Sequence, residues 1–263
     1  MTLRVDGASS LAAGAARIEI TPPLEAGLLM SSVEARWAPF AAVRRPLFAR
    51  ALVLQDLSPG AHQDSRQPVA IVSLDLLALS GKALGGFEAF KSRIVEAAGG
   101  AVAADGIVLV CTHTHTAPES GGITNLYRTT AFRQWAAQLA QKIGQSISWA
   151  ASAVQPCSLA YGAAQAAGLG IHRRFKTTSG IMMSHPEPPQ EVIISRDGAT
   201  DDSVNVLCLR NSGGAPVAVV VNATCHPVYE MCIPDVSPDY PGELCAGLEQ
   251  DHPGSVVLFL NGA

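Results

Sequence analysis

Two apolar runs, VAIVSLDLLAL (69–79) and IVLVC (107–111), constrain this chain more than any other feature of it. Neither alternates apolar with polar residues, as a strand with one wet face does, so both predict strands covered on two sides. Between them, GGFEAFKSRIVEAAGG (85–100) has helical spacing and a glycine stop. Strand, helix, strand over this length predicts a parallel crossover unit. The expected fold is α/β, a mixed β-sheet core with flanking helices.

The other elements fit that plan. ARIEITPP (16–23) is a short alternating strand stopped by two prolines, and FARALVLQD (48–56) is strand-like. The longest helical pattern runs over 129–152, with an apolar stripe through Phe132, Trp135, Leu139 and Ile143 that reads as core packing. From Cys157 to Pro189 the chain is rich in Gly, Ser and Pro and reads mostly as loop. VNVLCLR and PVAVVVNATCHPV, separated by NSGGA, predict an antiparallel hairpin. SPDYPGELCAGLEQ starts a helix with Asp239 as N-cap candidate, and SVVLFLNGA reads as a buried-type strand. Residues 1–14 read as a loose leader, and 15–263 as one domain without repeats. An apolar strand this close to the last residue predicts that the chain is part of a longer domain.

Composition removes several classes. The net charge of −4 is scattered, with no basic patch for nucleic acid or an anionic membrane surface. No apolar run approaches the ~18–20 residues that span a bilayer. The N-terminus lacks the layout of a secretory signal, so the default compartment is the cytoplasm, the same domain being exportable under a leader absent here. Six cysteines (111, 157, 208, 225, 232 and 245) form no CxxC pair and sit mostly in apolar runs, which predicts buried free thiols.

Chemistry concentrates where the apolar strands end. In CTHTHTAPESGG, residues i and i+2 of an extended chain share a face, placing His113 and His115 together and Thr112, Thr114 and Thr116 opposite. The carboxyl end of a strand is where α/β sheets carry sites. Two such imidazoles can supply a metal ligand and a neighbour that donates to a reacting oxygen, or can be satisfied by backbone. A second apolar strand ends in ATCHPVY, with Pro227 holding His226 extended. His226 can join the first pair at one sheet edge or lie at the surface. Asp75 ends its strand as His113 does and can border the same cleft. For Asp75, Glu230, Asp235 and Asp239, caps, turns and solvated charge are the plainer roles. His62, His185 and His252 lie in Pro-rich or polar contexts and read as solvent-facing. There is no Walker loop, no G-x-S-x-G elbow and no HExxH.

Taken in order, ARIEITPP, IVLVCTHTHTAPESGG, IHRRF, ATCHPV, SPDYPGE and LFLNGA resemble the neutral/alkaline (non-lysosomal) ceramidase family across essentially the whole chain. The resemblance implies a zinc amidase fold and hydrolysis of the N-acyl bond of ceramide or a similar lipid-like N-acyl amide. It makes His113 and His226 zinc ligands, and it places His115 and Arg173 at the scissile amide and its developing oxyanion. It puts His172 and Asp239 at the substrate. The family's remaining zinc ligands, a Glu and a Tyr, would fall beyond residue 263, as would its serine. By that resemblance the chain is an incomplete N-terminal catalytic portion, inactive alone. Two departures alter the site rim: APESGG stands where the family has SGPGG, and His172 where it has Asn. A metal-dependent hydrolase of another ester or phosphoester, and a non-catalytic ceramidase-like binding protein, remain open alternatives.

Overall fold

The computed structural model of the chain describes residues 3–5, 10–29, 37–58, 67–184, 187–231 and 233–262. Its strands in chain order are β1 (Leu3–Val5), β2 (Leu11–Glu19), β3 (Leu28–Leu29), β4 (Trp37–Ala38), β5 (Phe48–Asp56), β6 (Val69–Leu74) and β7 (Ile107–Cys111). There follow β8 (Gln155–Pro156), β9 (Ser158–Gln165), β10 (Arg174–Thr177), β11 (Gly180–Met183), β12 (Ile193–Arg196), β13 (Ser203–Arg210), β14 (Pro216–Ala223) and β15 (Val256–Asn261). The α-helices are α1 (Gly81–Leu84), α2 (Phe87–Ala97), α3 (Thr130–Ser152) and α4 (Asp239–Asp251).

Two five-stranded sheets form the centre, one ordered β7-β6-β5-β2-β8 and the other β1-β9-β13-β14-β15. Both are mixed. β6 and β7 run parallel through the predicted crossover, β14 and β15 are also parallel, and β13–β14 is the predicted antiparallel hairpin. Period-two alternation sorts each strand's side chains into layers. On β5, Ala49, Ala51 and Val53 join α2 and α3 in one core, while Leu52 faces the second sheet. On β14, Ala218 and Val220 face the first sheet and Val219 and Val221 face α4. The result is a helix–sheet–sheet–helix sandwich.

The α3 stripe is core, as its spacing predicts: Phe132, Trp135, Leu139 and Ile143 are all buried. Gly144 lets α3 cross α2 closely, because a Cβ there would land on the Ile94 carbonyl and the Ala97 side chain. Arg50 lies on the Leu52 face of β5, between the sheets. Its Nη1 donates to Asp75 Oδ2 at 2.7 Å, and both residues are fully buried. Glu249 of α4 accepts from the Val257 amide of β15 and forms an ion pair with Arg17 of β2. Ser73 Oγ adds a hydrogen bond to the Phe259 carbonyl, 2.6 Å away on the other sheet.

Several expectations change. The segment read as a loose leader contains β1, paired with β9, and the first residues of β2. The region 157–189 holds β9, β10 and β11 rather than mostly loop. β9, SLAYGAAQ, has weak strand propensity of its own and is set by pairing with β13 along its whole length. Asp75 borders no cleft, because Arg50 and the Phe48 amide claim the same carboxylate oxygen between the sheets. The described cysteines are free thiols, Cys157 and Cys245 buried and the others half-buried. His252 is exposed; His62, His185 and Cys232 lie outside the described residues.

Gly144→Ala is expected to destabilise the protein by about 1–3 kcal/mol, since backbone and not a flexible side chain must yield. Urea unfolding at equilibrium measures this.

Candidate metal centre

The predicted histidines meet, by a route that pleating alone does not supply. β7 ends at Cys111, and His113 then turns left-handed, with φ 74°. A β-carbon disfavours that region, so surrounding contacts hold it there. The His113 amide donates to the Leu76 carbonyl at 2.9 Å. Its Nδ1 lies 2.8 Å from the Leu77 carbonyl, which can only accept, so Nδ1 carries the proton and Nε2 is left as a lone pair. A carbonyl on the far nitrogen is the usual way a metal-ligating imidazole is oriented.

The threonines between the histidines do separate work. Thr114 and Thr116 are buried, and both hydroxyls donate to the Ser237 carbonyl, at 2.9 and 2.8 Å. The Ser237 amide returns a bond to the Thr116 carbonyl at 3.0 Å. These bonds stitch the exit of β7 to the segment between β14 and α4, and that segment carries His226. As a result His115 Nε2 comes to 2.9 Å from His226 Nε2, across 111 positions of sequence. The His113 and His226 rings are tilted at 34° with centroids 5.2 Å apart.

One ligand atom from each of His113, His115 and His226 lies within 4.8 Å of the others. Nitrogens bound to one tetrahedral zinc at about 2.0–2.1 Å sit about 3.3 Å apart, so small ring movements convert this cluster into a metal shell. The three imidazoles therefore fit zinc. Among the described residues no carboxylate or thiol joins them. Cys111 is two positions away, but burial, helped by the Asp75 charge, pushes its thiol up to about 12. Glu119, in the APESGG loop, is buried and accepts from the Ile123 and Thr124 amides.

The other expected site residues fall at different depths. Arg173 is exposed immediately before β10, close enough for its charge to act on His115. His172 is half-buried, with its Nδ1 accepting from the Arg174 amide and its carbonyl accepting from Arg196 Nη1. Asp239 does not cap α4 from outside. It is the first helical residue, with φ 55°, and its carboxylate accepts from the Glu230 and Tyr240 amides. Burial raises its pKa against those amide bonds. His113 and Asp239 are the two non-glycine residues with left-handed backbone among those described, and they flank the same stitch.

Sequence reasoning passed over Leu77, Ser237, Tyr229 and Tyr240. Tyr240 donates to the Cys225 carbonyl at 2.6 Å, and its ring meets Tyr229 on one side and Phe259 on the other. This aromatic stack backs the His226 loop; HPVY and PDY were its only signals. Beside His113 opens a groove of about 490 Å³, lined by Leu77, Leu79, Phe87, Leu109 and Cys111.

A helix–sheet–sheet–helix sandwich with imidazoles gathered where both sheets release their loops defines a mixed α/β protein with a candidate metal centre. Its fold matches part of the neutral ceramidase fold. The crystal structure of neutral ceramidase from Pseudomonas aeruginosa superposes with a TM-score of 0.70 at 19% identity, over 97% of this chain and 38% of that one. A ceramidase complexed with C2 gives a TM-score of 0.70 at 20% identity, over 95% of this chain and 37% of that one. The chain thus spans well under half the length of the structures it matches. No protein-family model matches it, and no curated protein matches it in sequence. No helix among the described residues is long and apolar enough to cross a membrane.

Burial first, then the charges of His113 and Arg173, lowers the His115 pKa to about 4. In the unfolded chain it returns to about 6.5, so the unfolded state takes up the proton first as pH falls. His115 therefore costs the metal-free protein stability as pH drops from about 6.5 towards 4. Urea midpoints at about pH 7 and about pH 4.5 should differ less in His115→Gln than in wild type.

Proposed function

We propose that this chain carries the metal-binding core of a zinc-dependent hydrolase that cleaves the N-acyl amide bond of an N-acylsphingosine-like substrate. The observation that carries this reading is the convergence of His113, His115 and His226 from loops of two different sheets. The ceramidase fold supports the reaction class. The open groove against His113, lined mostly by aliphatic and aromatic side chains with Asn261 among them, is compatible with a substrate that has an aliphatic part.

In this reading His113 and His226 hold the ion. Leu77 fixes the ring plane and tautomer of His113, and the Thr114/Thr116 stitch fixes the distance to His226. Zinc bound there supplies a Lewis acid and a water whose pKa falls to about 7. His115 is neutral at working pH, and with His226 on the ion its Nε2, which otherwise meets His226, would be free to hydrogen-bond the reacting oxygen of the amide. Arg173 brings a positive charge to the same side and stabilises the developing oxyanion. Removing one such donor typically costs about 10²–10³ in kcat. His172 is assigned as a substrate contact, whereas Asp239, buried and bonded to the Glu230 and Tyr240 amides, serves by holding the loop of His226 in shape and does not touch the substrate.

Metal analysis of the purified protein tests this. At a fixed excess of zinc, wild type should retain more metal than His113→Ala and His226→Ala, while His115→Ala should match wild type. Equal zinc in wild type and His113→Ala contradicts the assignment.

A further inference from the structure

The buried charges between the sheets are a poor device for stability alone. Arg17 and Arg50 face each other directly across β2 and β5, a like-charge pairing that destabilises a ladder. Arg50 Nε and Asp75 Oδ1 are buried without a hydrogen-bond partner, which adds to the cost of burying the pair. Apolar side chains of similar size commonly replace such a pair with no loss of stability. Its geometry, however, has a consistent direction.

Glu249 reaches Arg17 and lies 3.6 Å from Arg50 Nε, while its Oε1 also accepts from the Val257 amide of β15. Arg50 grips Asp75 Oδ2, and that same oxygen accepts from the Phe48 amide. Asp75 ends β6. The next two carbonyls of the chain, Leu76 and Leu77, are the ones that hold the amide and Nδ1 of His113. At the other end, Glu249 belongs to α4, whose first turn continues directly from Ser237 and the His226 loop. The charges thus join the segment that aims His113 to the helix that anchors His226.

We propose that Arg50, Asp75 and Glu249 are positioning residues. They set the register between the two sheets that brings His226 onto His113 and His115. This rests on the metal-centre reading only for its consequence on zinc, because the register itself exists without metal.

The test uses Arg50→Met/Asp75→Leu, which exchanges the pair for apolar side chains, and Glu249→Gln, which keeps an acceptor for Val257. Two readouts apply: imidazole NMR signals of the metal-free protein, and zinc affinity by chelator competition. Both variants should remain cooperatively folded. Their His113 Nδ1–H signal should weaken or vanish, and zinc affinity should fall by about 10–100-fold, the range seen when partners of metal ligands are removed. Ile143→Val, a core change on the opposite face of the first sheet from Arg50, should leave both readouts alone. Unchanged ring signals in the variants overturn the proposal, and so does an equal loss in Ile143→Val. If the double variant fails to fold, Glu249→Gln decides by the same signals. If wild type binds no zinc, the metal reading falls, and the ring signals still decide the positioning role.

Discussion

One carbonyl holds the candidate site together. Ser237 O accepts hydroxyls from both Thr114 and Thr116, so the loop leaving β7 is tied to the segment between β14 and α4. Each sheet on its own presents one loop carrying histidine. Only with the two loops tied do three imidazoles come within reach of a single ion. A buried hydrogen bond contributes a modest net stability, about 0.5–1.5 kcal/mol. The importance of these two lies in what they bring together more than in what they contribute to stability.

The site is also where the backbone is least relaxed. His113 and Asp239 sit in left-handed conformations on either side of the stitch. Such residues cost of order 1–3 kcal/mol each and persist where surrounding structure over-determines them. Here the determinants are visible: Leu76 and Leu77 hold His113, and the Glu230 and Tyr240 amides hold Asp239. A chain that only needed to fold would place glycine or asparagine at such positions.

Much of this was legible in the residues, and the failures have physical reasons. Apolar runs announced β6 and β7 as strands and a 3.6-residue stripe announced α3, but β7 is an edge strand with Val108 exposed, so its apolar run does not mean cover on both faces. The three histidines that meet stand after apolar strands, whereas Arg173 enters through the family resemblance alone. The threonines of THTHT were read only as the far face, although they are the fastening, since no local pattern says which distant carbonyl a hydroxyl will meet. β9 was missed because alanine and glycine take strand form there from their neighbours. Neither a cleft nor a cap, turn or solvated charge describes Asp75; a strand-end carboxylate looks the same in sequence whether its partner is solvent, substrate or a buried arginine. Asp239 looks like a helix cap in sequence, but its left-handed backbone turns its carboxylate back on the loop.

The central claim is that imidazoles from both sheets bind one metal ion. X-ray absorption of the zinc-loaded protein addresses it most directly. The account predicts at least two imidazole nitrogens at about 2.0–2.1 Å, with their outer-ring scattering reduced in His226→Ala. A shell of oxygens alone, or sulfur at about 2.3 Å, would contradict it.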